Sequence, residues 1–266
     1  REVVNLDDTY ANEFQKFNVD RVVTFGRIPS AKIVGKNLIA SERGVGFTVN
    51  DINFDLQLKG KFDFYNALAA IAATNGYGVD LATAKKALEK IPGIPGRMEL
   101  IDEGQNFKVL VDYAPEPESL RQLYDTVRTW QHGKIIHLLG STGGGRDEAR
   151  RKILGELAAE NADVVIVTNE DPYNDDPQKI IDDVASGSIA GGKILNQNLY
   201  KILDRRHAIA KALALAQPSD LVIFTGKGAE QKMAIKDGYV DWDDRKIARE
   251  ELNHLLRPIP HLMRDL

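Results

Sequence analysis

The chain has no cysteine among its 266 residues, which excludes disulfides, thiol catalysis and thiolate metal sites. Five scattered histidines show no zinc-ligand spacing. No apolar run approaches the ~18 residues that a membrane-spanning helix needs. Charge of one sign is also missing: 35 Lys and Arg against 39 Asp and Glu leave a net charge of -4, which gives no reason to expect binding to nucleic acid or to a membrane surface. There is no internal repeat and no low-complexity tract. What remains is ordinary globular composition, 43% hydrophobic and 28% charged, with length enough for two domains. The expectation is a cytoplasmic protein, monomeric, with small-molecule partners. Arg1 is not a methionine, and the chain enters a strand at once without a signal peptide, so a fragment of a longer protein is expected.

The stretch that organises the chain is Lys134–Pro177. Ile135–Leu139 is a continuous apolar run with the length of a buried strand. A glycine-rich turn, Gly140 to Gly145, follows it. Asp147 then caps an expected helix that carries Ile153, Leu154 and Leu157 on one face and ends near Asn161. Val164–Val167 is a second apolar run, leading into an acidic, proline-containing turn. Strand, glycine loop, helix, strand is a βαβ unit, and ligands of such sheets sit at the carboxyl ends of the strands.

Around this core the pattern predicts strand, helix and strand over residues 1–26, the helix begun by Asp7 or Asp8. Short antiparallel strands over 32–58 follow, then an Ala-rich helix after Asn66 and another from Asp80 to Ile91. Ile91–Gly96 holds two prolines and two glycines in six residues, which stops any helix and marks the domain boundary. Strands at Met98–Ile101 and Phe107–Asp112 come next, then helices at Glu116–Trp130, Pro177–Ala185 and Arg205–Ala216, a strand at Asp220–Phe224 and a last helix from Asp243 to Leu256. Strands alternating with helices imply an α/β fold with a mostly parallel sheet.

Four polar clusters fall at strand ends. The glycine loop lacks the G-x-G-x-x-G spacing, and its G-x-x-x-x-G continues Arg146-Asp147 instead of Lys-Ser/Thr, so neither a dinucleotide fingerprint nor a P-loop is present. Its backbone amides together with Arg146, Arg150 and Arg151 could hold an anion or carboxylate at the helix start, or form only a tight turn with a solvated basic face. Asn169–Pro177 packs four carboxylates into nine residues, more than capping at Asp176 requires. The excess could bind a cation, an ammonium group or magnesium, or form a solvated acidic loop. Thr225–Glu230 offers a lysine and a carboxylate beside two glycines, and Asp112-Tyr113-Ala114-Pro115 ends a further strand.

The ordered set NLDD (Asn5–Asp8), GKFDFYNALAA (Gly60–Ala70), GRME (Gly96–Glu99), VDYAPEPESL (Val111–Leu120), GSTGGGRDEARRK, TNEDPYNDDP, DRRHAIA (Asp204–Ala210) and GKGAE resembles the Mur ligases. It looks most like those that add the third residue of the peptidoglycan stem peptide. The resemblance implies the C-terminal part of a central ATPase domain over residues 1–96, followed by a Rossmann-like, amino-acid-binding domain over 97–266. It further implies an ATP- and Mg2+-dependent amide ligase acting through an acyl phosphate, with UDP-N-acetylmuramoyl dipeptide and a free amino acid as partners. The family's P-loop and its carbamylated lysine would lie upstream of Arg1, so no catalytic residue is assigned and the chain alone should not be competent.

Carried over by position, Asn66 resembles an adenine contact, and Arg97, Asp112 and Tyr113 resemble nucleotide contacts. Arg151 matches the arginine that takes the amino acid's carboxylate, a task suited to a guanidinium. Glu170, Asp171, Pro172 and Tyr173 stand where diaminopimelate-adding enzymes have Asp-Asn-Pro-Arg. Gly226 and Glu230 match residues at the distal end of a diamino acid, where a carboxylate facing an ammonium is sensible chemistry. Tyr173 cannot give an arginine's bidentate grip, and Asp171 would add negative charge favouring a cationic side chain such as lysine or ornithine. Pro115 and Ala229 replace the usual histidines. The other readings are a ligase of the cyanophycin or polyglutamate type and a non-catalytic binding module.

Overall fold

The computed structural model describes residues 1–257. Two compact units divide these residues, Arg1–Ile94 with Gln122–Trp130 and Pro95–Arg121 with the chain from Gln131 onward.

The first unit is built on a five-stranded sheet in the order β1 (Glu2–Asn5), β2 (Val22–Gly26), β3 (Ile33–Ser41), β4 (Gly44–Val49), β5 (Ile52–Leu56). The first two pairings are parallel and the last two antiparallel. Alternation in β4 and β5 sends Val45, Phe47, Val49, Phe54 and Leu56 inward, where they pack with Phe64, Leu68 and Ile71 of α2 (Asp63–Gly76). Phe47 and Phe54 stack at 5.1 Å between ring centroids, and Phe64 meets Phe47 edge-on at 5.3 Å. The β4–β5 hairpin turns through Asn50 and Asp51, both with positive φ (46° and 64°), the backbone that a two-residue hairpin needs and that Asn and Asp tolerate.

The helix expected to begin at Asp7 or Asp8 begins later, after Tyr10, as the single turn α1 (Ala11–Phe14). Asp8 Oδ1 does accept from Tyr10 N at 2.8 Å, whereas Asp7 binds elsewhere, accepting from Arg27 N (2.7 Å) and Tyr65 Oη (3.1 Å). A carboxylate that finds donors across a turn no longer caps its own segment. Helix α3 (Leu81–Leu88) starts at Asp80, which accepts from Thr83 N at 2.7 Å.

Six strands of the second unit form a sheet in the order β10 (Leu199–Ile202), β9 (Val164–Thr168), β8 (Ile135–Leu139), β11 (Leu221–Phe224), β7 (Lys108–Val111), β6 (Glu99–Ile101). Only β6 is antiparallel to its neighbour. In sequence between the strands come α4 (Pro117–Val127), whose residues from Gln122 on count with the first unit, then α5 (Ala149–Asn161), α6 (Pro177–Ala190) and α7 (Arg205–Leu215), with α8 (Asp244–Leu256) last. One face of the sheet, through Val109, Val111, Ile136, Leu138, Ile166, Val222 and Phe224, packs on Ala208, Ile209, Ala212 and Leu213 of α7 and on Ala248 and Leu252 of α8. Helices α5 and α6 pack on each other so closely that a Cβ on Gly155 would overlap the Val184 carbonyl, and one on Gly187 the Lys152 carbonyl. Leu154 and Leu157 of α5 are buried, but Ile153, expected beside them, is 38% exposed. It sits at the edge of the face that buries Arg150, Leu154, Leu157 and Ala158. Asp147 accepts from Ala149 N at 2.9 Å, while the capping position itself is Glu148.

Two elements were not expected from sequence: β10, and a hairpin of β12 (Lys232–Ile235) and β13 (Gly238–Asp241). Asp237-Gly238 between two short runs is a hairpin signal, and Asp237 takes φ 63°. Strand β10, Leu-Tyr-Lys-Ile, does not alternate apolar and polar residues and spans only four positions, too few to register as a period.

Candidate functional site

The carboxyl ends of β7, β8, β9 and β11 are adjacent, since these parallel strands pair directly. This brings the four polar clusters of the second unit together. Backbone bonds knit their exits: Gly226 N donates to Tyr113 O at 2.7 Å, Thr225 N to Leu138 O at 3.0 Å and Gly143 N to Asp171 O at 3.0 Å.

A buried cation holds the base of this crevice. Arg205, at the start of α7, is 2% exposed and grips Asp244 with two bonds, Nε to Oδ1 at 2.9 Å and Nη2 to Oδ2 at 2.6 Å. Its remaining donors reach Asn169 O (3.2 Å) and Thr225 O (2.8 Å), the exits of β9 and β11. Trp242 Nε1 completes Asp244 at 2.8 Å. Within β8, His137 is fully buried against Thr225 Oγ1 at 3.0 Å, and burial with the Arg205 charge pushes its pKa down to about 3, so it is neutral. Neither Arg205 nor His137 was singled out from sequence. Arg205 lies within the quoted DRRHAIA run, but Arg206 and His207 stand beside it and Lys211 follows on the same helix, so no local signal singles it out.

Lys227, also fully buried, spans the second exit. Its Nζ donates to both Asp171 oxygens at 2.8 Å and to Lys232 O at 2.6 Å, and pairs with Glu230 at 2.8 Å. Asp171 Oδ1 also accepts from Ala234 N at 2.7 Å, tying the β12–β13 hairpin to the turn. The charge that Asp171 was expected to offer a substrate is therefore taken up by Lys227. Two carboxylates, Asp171 and Glu230, share that one ammonium, so these three side chains together carry one net negative charge.

Glu170 lies beside them, 3% exposed. Thr142 Oγ1 donates to its Oε1 at 3.1 Å, and its Oε2 lies against Gly226, where a Cβ would overlap it. Gly226 has φ 102°, so both backbone and space demand glycine there. Burial raises the Glu170 pKa to about 7, opposed by the Arg205 charge and the Thr142 hydrogen bond. Tyr113 carries the Arg97 guanidinium over its ring at 4.3 Å. Its pKa is raised by burial, then by the charges of Glu230 and Glu170, and lowered by those of Arg97 and Arg146, so these five side chains share one electrostatic neighbourhood. Asp112 is buried and accepts from Met98 N at 2.8 Å, while Pro115 is half-buried.

The glycine loop differs from expectation. Gly143 and Gly144 donate their amides to the acidic turn, to Asp171 O and to Asp175 Oδ2 (3.1 Å), so these two are not open to an anion. Of its three arginines only Arg146 is exposed. Arg150 is 6% exposed and bonded to Glu116. Arg151 is 1% exposed, with Asp183 at 3.0 Å, Asp175 at 3.4 Å and Glu148 at 3.6 Å. Yet Arg150 Nε, Arg151 Nε, Ser141 Oγ and Thr168 Oγ1 are buried and make no hydrogen bond, four of the six such side-chain atoms among the described residues. Buried polar atoms are nearly always satisfied, so their concentration at the ends of β8 and β9 makes this the candidate place for a polar ligand group. Pro172 is buried in this turn, and Tyr173 (φ 51°, 37% exposed) lays its ring over Gly144. Asn66 belongs to the first unit, exposed on α2 with Nδ2 donating to Asp63 at 3.2 Å.

A mostly parallel sheet with its polar loops, buried cations and unsatisfied donors at the carboxyl edge defines an α/β domain of the doubly wound class, in which ligands sit at that edge. The profile described as "Mur ligase, glutamate ligase domain" matches residues 96–228, half of the chain, and "Mur ligase middle domain" matches residues 1–74. The chain belongs to the Mur ligase family. It is 36% identical over 254 residues to a UDP-N-acetylmuramoyl-L-alanyl-D-glutamate–2,6-diaminopimelate ligase of Bacillus cereus, covering 94% of this chain and 50% of that protein. It is 37% identical over 260 residues to a UDP-N-acetylmuramyl-tripeptide synthetase of a Roseiflexus species, covering 95% and 51%. The chain thus spans about half the length of the curated relatives it matches. Among solved structures, a UDP-N-acetylmuramoyl-L-alanyl-D-glutamate–2,6-diaminopimelate ligase matches with TM-score 0.59 at 27% identity, over 96% of this chain and 53% of that one. A pseudomurein peptide ligase type C from Methanothermus fervidus, at 16% identity and TM-score 0.68 over 95% and 56%, shares the fold.

Proposed function

We propose that the full-length protein is an ATP-dependent amide ligase that adds the third amino acid, a diamino acid, to UDP-N-acetylmuramoyl-L-alanyl-D-glutamate. Its second unit receives that amino acid. The observation that carries this reading is the cluster of unsatisfied donors at the β8 and β9 ends beside the Asp171–Lys227–Glu230 group, in which two carboxylates share one ammonium. Arg151 Nε and Ser141 Oγ can donate to the amino acid's carboxylate, and the Asp171–Lys227–Glu230 group complements a distal ammonium. Glu170, with a pKa of about 7, can accept a hydrogen bond from that ammonium when ionised. Tyr173 adds no charge, which favours a plain amine over the ammonium-and-carboxylate end of diaminopimelate. ATP supplies the driving force for amide formation. Asn66 is a proposed nucleotide contact of the first unit, and Arg97, Asp112 and Tyr113 are proposed nucleotide contacts of the second, each taken by itself. Magnesium is expected with the nucleotide, but no group of three or more His, Asp or Glu among the described residues is arranged to hold a metal ion, so no step is assigned to it here. No helix among the described residues is long and apolar enough to cross a membrane.

The test is phosphate release by the full-length protein with ATP, magnesium and the UDP-muramoyl dipeptide, across lysine, ornithine and diaminopimelate. Turnover with lysine or ornithine above that with diaminopimelate is expected. No turnover with any diamino acid, with ATP binding intact, would contradict the reading.

A further inference from the structure

In the first turn of α2, Asp63 is 5% exposed and its carboxylate has two donors. Gly60 N reaches Oδ2 at 3.0 Å, and Asn66 Nδ2, one helical turn on, reaches Oδ1 at 3.2 Å. Asn66 itself is exposed, so one edge of its amide faces solvent while the other is held from below. An ionised carboxylate accepts and cannot donate, so it dictates which end of the amide turns toward it. One amide proton goes to Asp63, and the other proton stays available beside Oδ1.

That pair, an acceptor next to a donor in fixed order, matters for a purine. Adenine presents an exocyclic N–H donor at position 6 beside a ring-nitrogen acceptor, which an Asn amide meets with two bonds. Guanine presents an acceptor at position 6, so the same amide orientation sets acceptor against acceptor. A free asparagine could flip by 180° and present the reverse order, so an amide that is not held does not choose between the two bases.

We propose that Asp63 is a positioning residue that fixes the flip of the Asn66 amide and thereby makes the nucleotide site select adenine over guanine. The proposal rests on the reading of Asn66 as the base contact. Burial raises the Asp63 pKa, and the bonds from Asn66 and Gly60 oppose the rise, consistent with both donors pointing at the charged form. A purely structural Asp63, closing the Gly60 turn, would stabilise the loop without affecting the choice of base.

Dissociation constants for ATP and GTP, measured on the full-length protein and on its Asp63→Ala, Asp63→Ser and Asn66→Ala variants, separate these roles. The wild type should prefer ATP, and Asp63→Ala should lower the ATP-to-GTP preference by about tenfold, as should Asn66→Ala. If Asp63→Ala does not fold, Asp63→Ser carries the same expectation, because a hydroxyl donates as readily as it accepts and no longer dictates the flip. If Asn66→Ala loses the preference while the folded Asp63 variants keep it, positioning by Asp63 is overturned and the Asn66 contact stands. A preference unchanged in Asn66→Ala would overturn both.

Discussion

Two arginines of the second unit are almost equally buried and almost oppositely used. Arg205 meets a single carboxylate, Asp244, that is itself fully buried, and its other donors reach backbone carbonyls. Arg151 meets three carboxylates whose side chains are 35% to 66% exposed, yet leaves Nε without a partner. The first is a closed network in low dielectric, where removing one member strands a charge. The second is a guanidinium whose counter-charges stay in touch with water and can yield to another anion. Burial alone ranks the two together, whereas their partners separate a closed frame from the part of the crevice proposed to receive a ligand.

Breaking the frame should have the largest effect on stability. Arg205→Ala leaves Asp244 buried and unpaired, and unfolding by urea should show a loss of about 3–5 kcal/mol. A loss below about 1 kcal/mol would mean that the network is dispensable.

The next effect concerns pH. Glu170 has a folded pKa of about 7 against 4.5 for a free carboxyl, so the unfolded chain releases its proton first and stability falls as pH rises from 4.5 to 7. The full drop is about 3 kcal/mol. His137 works in the opposite sense. Its folded pKa of about 3 against 6.5 makes stability fall as pH falls through 6.5. Between 4.5 and 6.5 the two slopes offset, and Glu170→Gln should remove one of them, leaving stability that rises with pH across that window. A pH profile of the melting temperature that is identical in wild type and Glu170→Gln would contradict the assignment.

Arg151→Lys should have the smallest stability effect, about 1 kcal/mol, because the carboxylates it leaves are solvated. A cost as large as that of Arg205→Ala would erase the distinction between the two arginines.

Much of this frame was legible in the sequence, for identifiable reasons. Continuous apolar runs such as Ile135–Leu139 and Val164–Val167 mark buried parallel strands, and each of them is a strand. Capping by Asp80 and Asp176 follows from local chemistry and is present at both positions. The acidic turn and the glycine loop were recognisable as clusters, but not the way they neutralise each other. Nothing local in Asn169–Pro177 reveals that Asp171 is bonded to a lysine 56 residues on, or that Glu170 is pressed against Gly226. Arg205 and Asp244, 39 residues apart, are equally invisible to spacing. Short strands such as β10 fall below the length at which a period can be counted.

The central claim is that the β8–β9 end of the crevice receives the amino acid's carboxylate through Arg151. Steady-state kinetics of the full-length protein with Arg151→Lys tests it most directly, since lysine keeps the charge and loses the guanidinium geometry. The account predicts a KM for the amino acid raised by about tenfold or more, with the KM for ATP within about twofold of wild type. Equal changes in both constants, or no change in either, would contradict it.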